Sequence, residues 1–198
     1  MFHSQGKVVF KVRKIINLIK QSNNINMHVI KRVKFFDLFN QSFIIDFEVR
    51  WNTTFHMLER FYEFKIVIDE ITTNPVLIEG LNAAKRNQLK NLVLSADDWR
   101  AVEMLMKILK PFKRVTDILQ GQKYQTLALS KVTERILFQY YENFSASNSK
   151  EKYVSEIVKQ YLDKYLNKKI SNEQKKASLV SILYLFNLIA YNKIDCYL

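Results

Sequence analysis

The sequence predicts a mostly α-helical fold with one strand, near residues 42–49. Three observations carry this. Glycine (3) and proline (2) are too scarce for a chain of 198 residues built from hairpins and tight turns. Apolar residues recur at three- and four-residue spacing in segment after segment. Hydrophobic content is 48%, with 14 Phe and 10 Tyr, which is enough to fill a core and too high for a disordered chain.

Residues 7–21 set Val8, Val12, Ile15, Ile16 and Ile19 on one face with Lys and Arg between them, an amphipathic helix with a basic outer side. "SNNIN" (22–26) reads as a loop and 27–38 as a second short basic helix. "SFIIDFEV" (42–49) alternates and is rich in β-branched and aromatic residues, hence the strand. A helix starts at Asn52 or Thr53. Met57, Leu58, Phe61, Phe64, Ile68 and Ile71 trace its apolar face, and it ends near Pro75. The segment from Asn74 to Gln88 has no such stripe and reads as loops.

"LSADDW" (94–99) is a helix start, with Ser95 as the cap and Asp98 at the capping-box position. That helix is expected to kink at Pro111 without stopping, and to end at Gly121. Further helices cover 124–144, 150–170 (with Tyr153, Ile157, Tyr161 and Tyr165 along one side) and about 172–192.

The net charge of +12 points to a polyanionic partner, nucleic acid or an anionic surface, unless it only solvates helix faces. The charge is uneven. Residues 1–51 hold nine Lys and Arg against three acids (Asp37, Asp46, Glu48), half of the excess in a quarter of the chain. With one cysteine, Cys196, the chain can form neither an internal disulfide framework nor a Cys-based zinc site. The opening residues lack the apolar core of a signal peptide. The apolar run 179–191 is 13 residues long, whereas a spanning helix needs roughly 20. No membrane association is expected.

Phosphate-binding loops and the common hydrolase and metalloprotease motifs are absent. His3, His28 and His56 are far apart in sequence. Asp69-Glu70 and Asp97-Asp98 are helix neighbours that point about 100° apart, a poor arrangement for two shared metals. Asp46 and Glu48 would share a strand face and could hold Mg²⁺, although such pairs are more often structural. The notable junction is Arg50-Trp51. Arg pairs with phosphate and Trp stacks on an unpaired base. The alternative is that Trp51 plugs a core while Arg50 pairs with Asp46 or Glu48.

"RWNTTFHMLERF" (50–61) resembles the RW segment of hAT-superfamily transposases and their BED-zinc-finger-associated relatives. "LSADDWRAVEMLMKILKPFKRVTDILQGQKYQTLALSKV" (94–132) resembles a second family stretch, through Leu94, Ser95, Trp99, Leu109, Pro111, Phe112, Thr116, Leu119, Tyr124, Thr126 and Leu127. The basic segment 11–22 resembles the helix upstream of the RW motif, so the likeness covers roughly residues 7–168.

The resemblance implies an RNase H-like catalytic domain interrupted by an all-helical insertion, with Asp, Asp and Glu holding divalent metal such as Mg. It implies that Trp51 lies near DNA. On this reading 1–51 are a remnant of the RNase H-like α/β domain, 52–170 resemble the helical insertion-domain bundle, and 171–198 are a divergent apolar tail. The departures matter. The family's second Asp precedes a CxxH element, and no cysteine precedes Cys196 here. The family Glu lies beyond the insertion. No catalytic residue, metal ligand or cofactor is therefore expected in this chain, and transposition would need carboxylates from another chain.

The expected nucleic-acid contacts are Arg50, Trp51, Lys11, Arg13, Lys14, Lys31, Arg32 and Lys34. The expected partners are DNA, in a salt-dependent way, and a homo- or hetero-oligomeric transposase-like chain. The expected location is the nucleus. The competing readings are a protein-interaction helical module and a non-functional transposon remnant.

Overall fold

The computed structural model describes residues 7–38, 42–46, 51–120 and 127–166. Eight α-helices lie among them: α1 (Lys7–Gln21), α2 (Asn23–Phe35), α3 (Trp51–Glu63), α4 (Lys65–Thr73), α5 (Ala83–Lys90), α6 (Ala96–Gln120), α7 (Leu127–Glu142) and α8 (Ser149–Leu166). A single 3₁₀ turn, Pro75–Leu77, sits between α4 and α5. The fold is mostly α, as the scarcity of glycine and proline implies.

Two compact units divide the chain. Gly6–Glu103 holds α1 to α5 and the first turns of α6. The other holds the chain from Met104 onward. In the first, the stripe of α1 (Val8, Val12, Ile15, Ile16, Ile19) is buried as its spacing requires. Met57, Leu58, Phe61, Phe64, Ile68 and Ile71 are buried too, but on two helices, because the chain breaks at Phe64. Phe43 packs against Phe64 and Phe61, with ring centroids 5.0 and 6.5 Å away. Trp99 stacks on Phe61 at 5.5 Å and donates its indole N–H to Asp69 Oδ1 at 2.9 Å.

Besides the break at Phe64, three sequence expectations need correction. No strand forms over 42–46, and 47–49 lie outside the described residues. Phe43 and Asp46 are the buried residues there, a spacing of three, whereas a half-buried strand requires alternation and a ladder partner. The "SNNIN" loop shrinks to Ser22, because Ile25, Val29 and Val33 start the buried stripe of α2 inside it. Part of the segment read as loops is α5, capped by Asn82, whose side chain accepts from the Lys85 amide at 2.9 Å. Only Leu89 is buried along α5, so no periodic stripe announces it.

The α6 start is a reciprocal capping box. The Ser95 hydroxyl accepts from the Asp98 amide at 3.1 Å, and Asp98 Oδ2 accepts from the Ser95 amide at 2.9 Å. The helix continues through Pro111. In the second unit α7 and α8 bury Leu137, Tyr141, Val154, Val158 and Leu162. The tyrosine side of α8 is not its buried side, since Tyr153 is exposed. Gly121 and the segment 172–192 lie outside the described residues.

Candidate nucleic-acid interface

The approach to the Arg50-Trp51 pair is anchored by one buried carboxylate. The Asp46 side chain is fully buried. Its Oδ1 accepts from Arg13 Nε at 2.8 Å and its Oδ2 from Arg13 Nη2 at 2.5 Å, a bidentate fork. The Thr54 hydroxyl also donates to Oδ2, at 2.7 Å. Asp46 precedes the pair and Thr54, in the first turn of α3, follows it. One carboxylate thus ties α1 to both flanks of the Arg-Trp junction. Trp51 opens α3, but its side chain and all of Arg50 lie outside the described residues. Of the two acids considered as partners for Arg50, Asp46 has both oxygens engaged elsewhere, and Glu48 lies outside the described residues.

The remaining expected cations divide into two sets. Lys11 pairs with Asp98 at 2.7 Å, joining α1 to α6. Arg32 pairs with Glu70 at 2.8 Å, joining α2 to α4. Together with Arg13 these cations hold the unit together. Lys14, Lys31 and Lys34 are exposed and make no ion pair among the described residues. The helices that carry them, α1 and α2, contain no Asp or Glu. Lys14 also borders a groove of about 410 Å³ between α1 and α5, lined by Asn17, Gln21, Gln88 and Asn91, whose carboxamides both donate and accept hydrogen bonds.

Aromatic rings accompany these cations, which residue spacing alone did not show. Lys14 lies over the Phe10 ring, 4.3 Å from its centroid. Arg32 lies 4.5 Å from the centroid of Phe35 and 4.8 Å from that of Phe36. Phe35 is 72% exposed and Phe10 51%. The available signal was that both fall off the buried stripe of an acid-free helix.

The described acids among those considered as metal ligands are engaged or separated, and Glu48 lies outside the described residues. Asp69 accepts from Trp99, whereas its neighbour Glu70 faces Arg32 and lies 3.7 Å from His28 Nε2. Asp97 pairs with Arg100 at 2.5 Å. Burial pushes the Asp98 carboxyl up. The bonds from Lys11 and from the Ser95 amide and hydroxyl outweigh that and hold it below its ordinary range. Among the described residues no three His, Cys, Asp or Glu side chains group as a metal site, and no helix is long and apolar enough to cross a membrane. His3 lies outside the described residues, and His56 lies 3.6 Å from Glu59.

No curated protein and no solved structure matches the chain. A family model described as ZBED1 RNase-like helical domain matches residues 2–108, more than half of the chain. That span nearly coincides with the compact unit Gly6–Glu103. It contains the RW segment and the capping-box start that suggested a hAT-type transposase, and the chain belongs to the ZBED1 RNase-like helical domain family.

Proposed function

We propose that the chain is a transposase-derived helical domain that binds nucleic acid and does not itself catalyse strand transfer. The observation that carries this reading is the division of the cations. Internal carboxylates take up Lys11, Arg13 and Arg32, while Lys14, Lys31 and Lys34 face solvent on helices without a single acid. Nuclear location and a transposase-like partner chain belong to the same reading.

The divalent metal implied by the resemblance does not fit the described carboxylates considered for it. Asp46 is saturated by Arg13 and Thr54, Asp98 by Lys11 and Ser95, and Glu70 is paired with Arg32. A cation there would have to displace these donors.

The test is binding of the chain to duplex DNA, with and without an unpaired base, at two salt concentrations. Wild type binds in a salt-sensitive way, and Trp51→Ala weakens binding to the unpaired-base substrate by about 1–3 kcal/mol while circular dichroism stays unchanged. Salt-independent or absent binding by a folded wild type rejects the reading. It would favour a protein-interaction module, for which the exposed Val76 and Leu77 of the 3₁₀ turn are the specific support.

A further inference from the structure

The C-terminal end of α2 presents an aromatic ring where a soluble helix gains nothing by exposing one. Phe35 is 72% exposed, the highest value among the large hydrophobic side chains of the described residues. The Arg32 guanidinium covers one face, 4.5 Å from the ring centroid, and Phe36 meets the ring edge-on at 5.2 Å. Apart from these two contacts the residue is largely left to solvent.

The platform is held from both sides. Arg32 cannot swing away freely, because Nε and Nη2 both bond Glu70 Oε2 at 2.8 Å. The backbone is fixed by a Schellman ending. The Leu38 amide donates to the Val33 carbonyl at 3.0 Å and the Asp37 amide to the Lys34 carbonyl at 3.2 Å, with Asp37 in the left-handed region at φ 51°. Lys31, four residues before Phe35, lies on the same face of the helix, and Lys34, next to Phe35 in sequence, projects about 100° round the helix from it. Both are exposed.

A planar ring backed by a guanidinium, with one lysine on its face of the helix and a second on the adjoining face, matches an unpaired base and its flanking phosphates. Any base offers a π face to the ring, and phosphate supplies the charge that the acid-free α2 complements. A duplex hides its bases in the stack and offers only the phosphates. We propose that Phe35, backed by Arg32 and flanked by Lys31 and Lys34, is a stacking site for a base of single-stranded nucleic acid. This rests on the nucleic-acid reading above and adds to it the strandedness of the ligand and a second contact apart from Trp51.

The experiment measures fluorescence anisotropy of a labelled oligothymidine and of a hairpin duplex with the full chain and its variants. Phe35→Ala and Phe35→Leu each lower affinity for the single strand by about tenfold and change duplex affinity by less than about twofold, whereas Phe35→Trp retains single-strand affinity. Leu keeps the apolar bulk under Arg32 and removes only the π face, so it separates stacking from packing. Lys31→Ala with Lys34→Ala flattens the single-strand salt slope by about 1.4, at about 0.7 per cation.

A wild type that binds neither probe overturns this inference together with the nucleic-acid reading. A wild type that binds both probes, with Phe35→Leu at full single-strand affinity or equally weakened on both, overturns the stacking site alone. Phe35 would then belong to a protein-facing surface.

Discussion

The Tyr140 hydroxyl donates to the Lys107 carbonyl at 2.9 Å. Lys107 lies four residues before Pro111, so its carbonyl is the one that proline deprives of a helical amide partner. The next tyrosine reaches the next carbonyl, since the buried Tyr141 hydroxyl donates to Ile108 at 2.6 Å, although the residue four on from Ile108 is Phe112, which keeps its amide. Two consecutive tyrosines of α7 thus serve the turn of α6 that the proline disturbs. Tyr141→Phe is expected to cost about 1–3 kcal/mol, and Tyr140→Phe somewhat less at its part-exposed site. Pro111→Ala restores an amide to Lys107, so Tyr140→Phe should cost clearly less in that background. Urea melts of the double-mutant cycle measure the difference, and equal costs in both backgrounds would refute the pairing of proline and tyrosine.

Asp46 should be the most sensitive polar position of the first unit. Asp46→Ala removes the bidentate acceptor of Arg13 and the acceptor of Thr54 and is expected to cost about 3–5 kcal/mol, while Thr54→Val removes one charge-assisted bond and costs about 1.5–3 kcal/mol. Arg13→Met combined with Asp46→Leu should recover most of the Asp46→Ala loss, because apolar packing replaces a buried pair at little cost. Chemical denaturation of the four proteins checks the order.

Acid should weaken both units through named carboxylates. Burial pushes Glu151 up, but bonds from the Ser147 amide and Lys107 outweigh this and lower it from its ordinary 4.5, and Asp98 is likewise lowered from 3.8. A carboxyl depressed in the folded state gives its full stabilisation above its unfolded pKa and loses it as pH falls through the folded value. The expected loss therefore begins below about pH 4.5 and continues below 3.8. Lys11→Met should shallow the Asp98 part of that loss. At the alkaline end, burial raises the Tyr141 hydroxyl well above 10.0, so its contribution is complete below 10.0 and fades as pH climbs through the folded value. Thermal melts across both ranges measure the slopes.

Asp37 holds a left-handed backbone at φ 51° that glycine adopts without strain. Asp37→Gly is expected to stabilise the first unit by about 0.5–1 kcal/mol and Asp37→Val to destabilise it by about 1–2 kcal/mol. A Gly variant with an unchanged or lower Tm would show that the aspartate side chain compensates for the strain.

Helices whose apolar stripes are periodic were legible. The bounds of α1 and the capping box at Ser95 and Asp98 follow from local spacing and short-range hydrogen bonds. The α5 helix was not, because its single buried side chain, Leu89, makes no pattern. The run 42–49, described over 42–46, read as a strand because β-branched and aromatic residues favour extended backbone. A strand also needs a ladder partner, and that is a property of neighbours distant in sequence.

The sequence by itself determined the helical class, the cation excess near the N-terminus and the RW segment that suggested the family, since all three depend on residue type and local order. Only the tertiary structure decided which cations face outward. Lys11, Arg13 and Arg32 look no different from Lys14, Lys31 and Lys34 along the chain. Yet Asp98, Asp46 and Glu70, at separations of 87, 33 and 38 residues, take up the first three and leave the others exposed. The physical reason is that an ion pair is fixed by distance in space, which folding alone supplies, whereas helix periodicity is written along the chain.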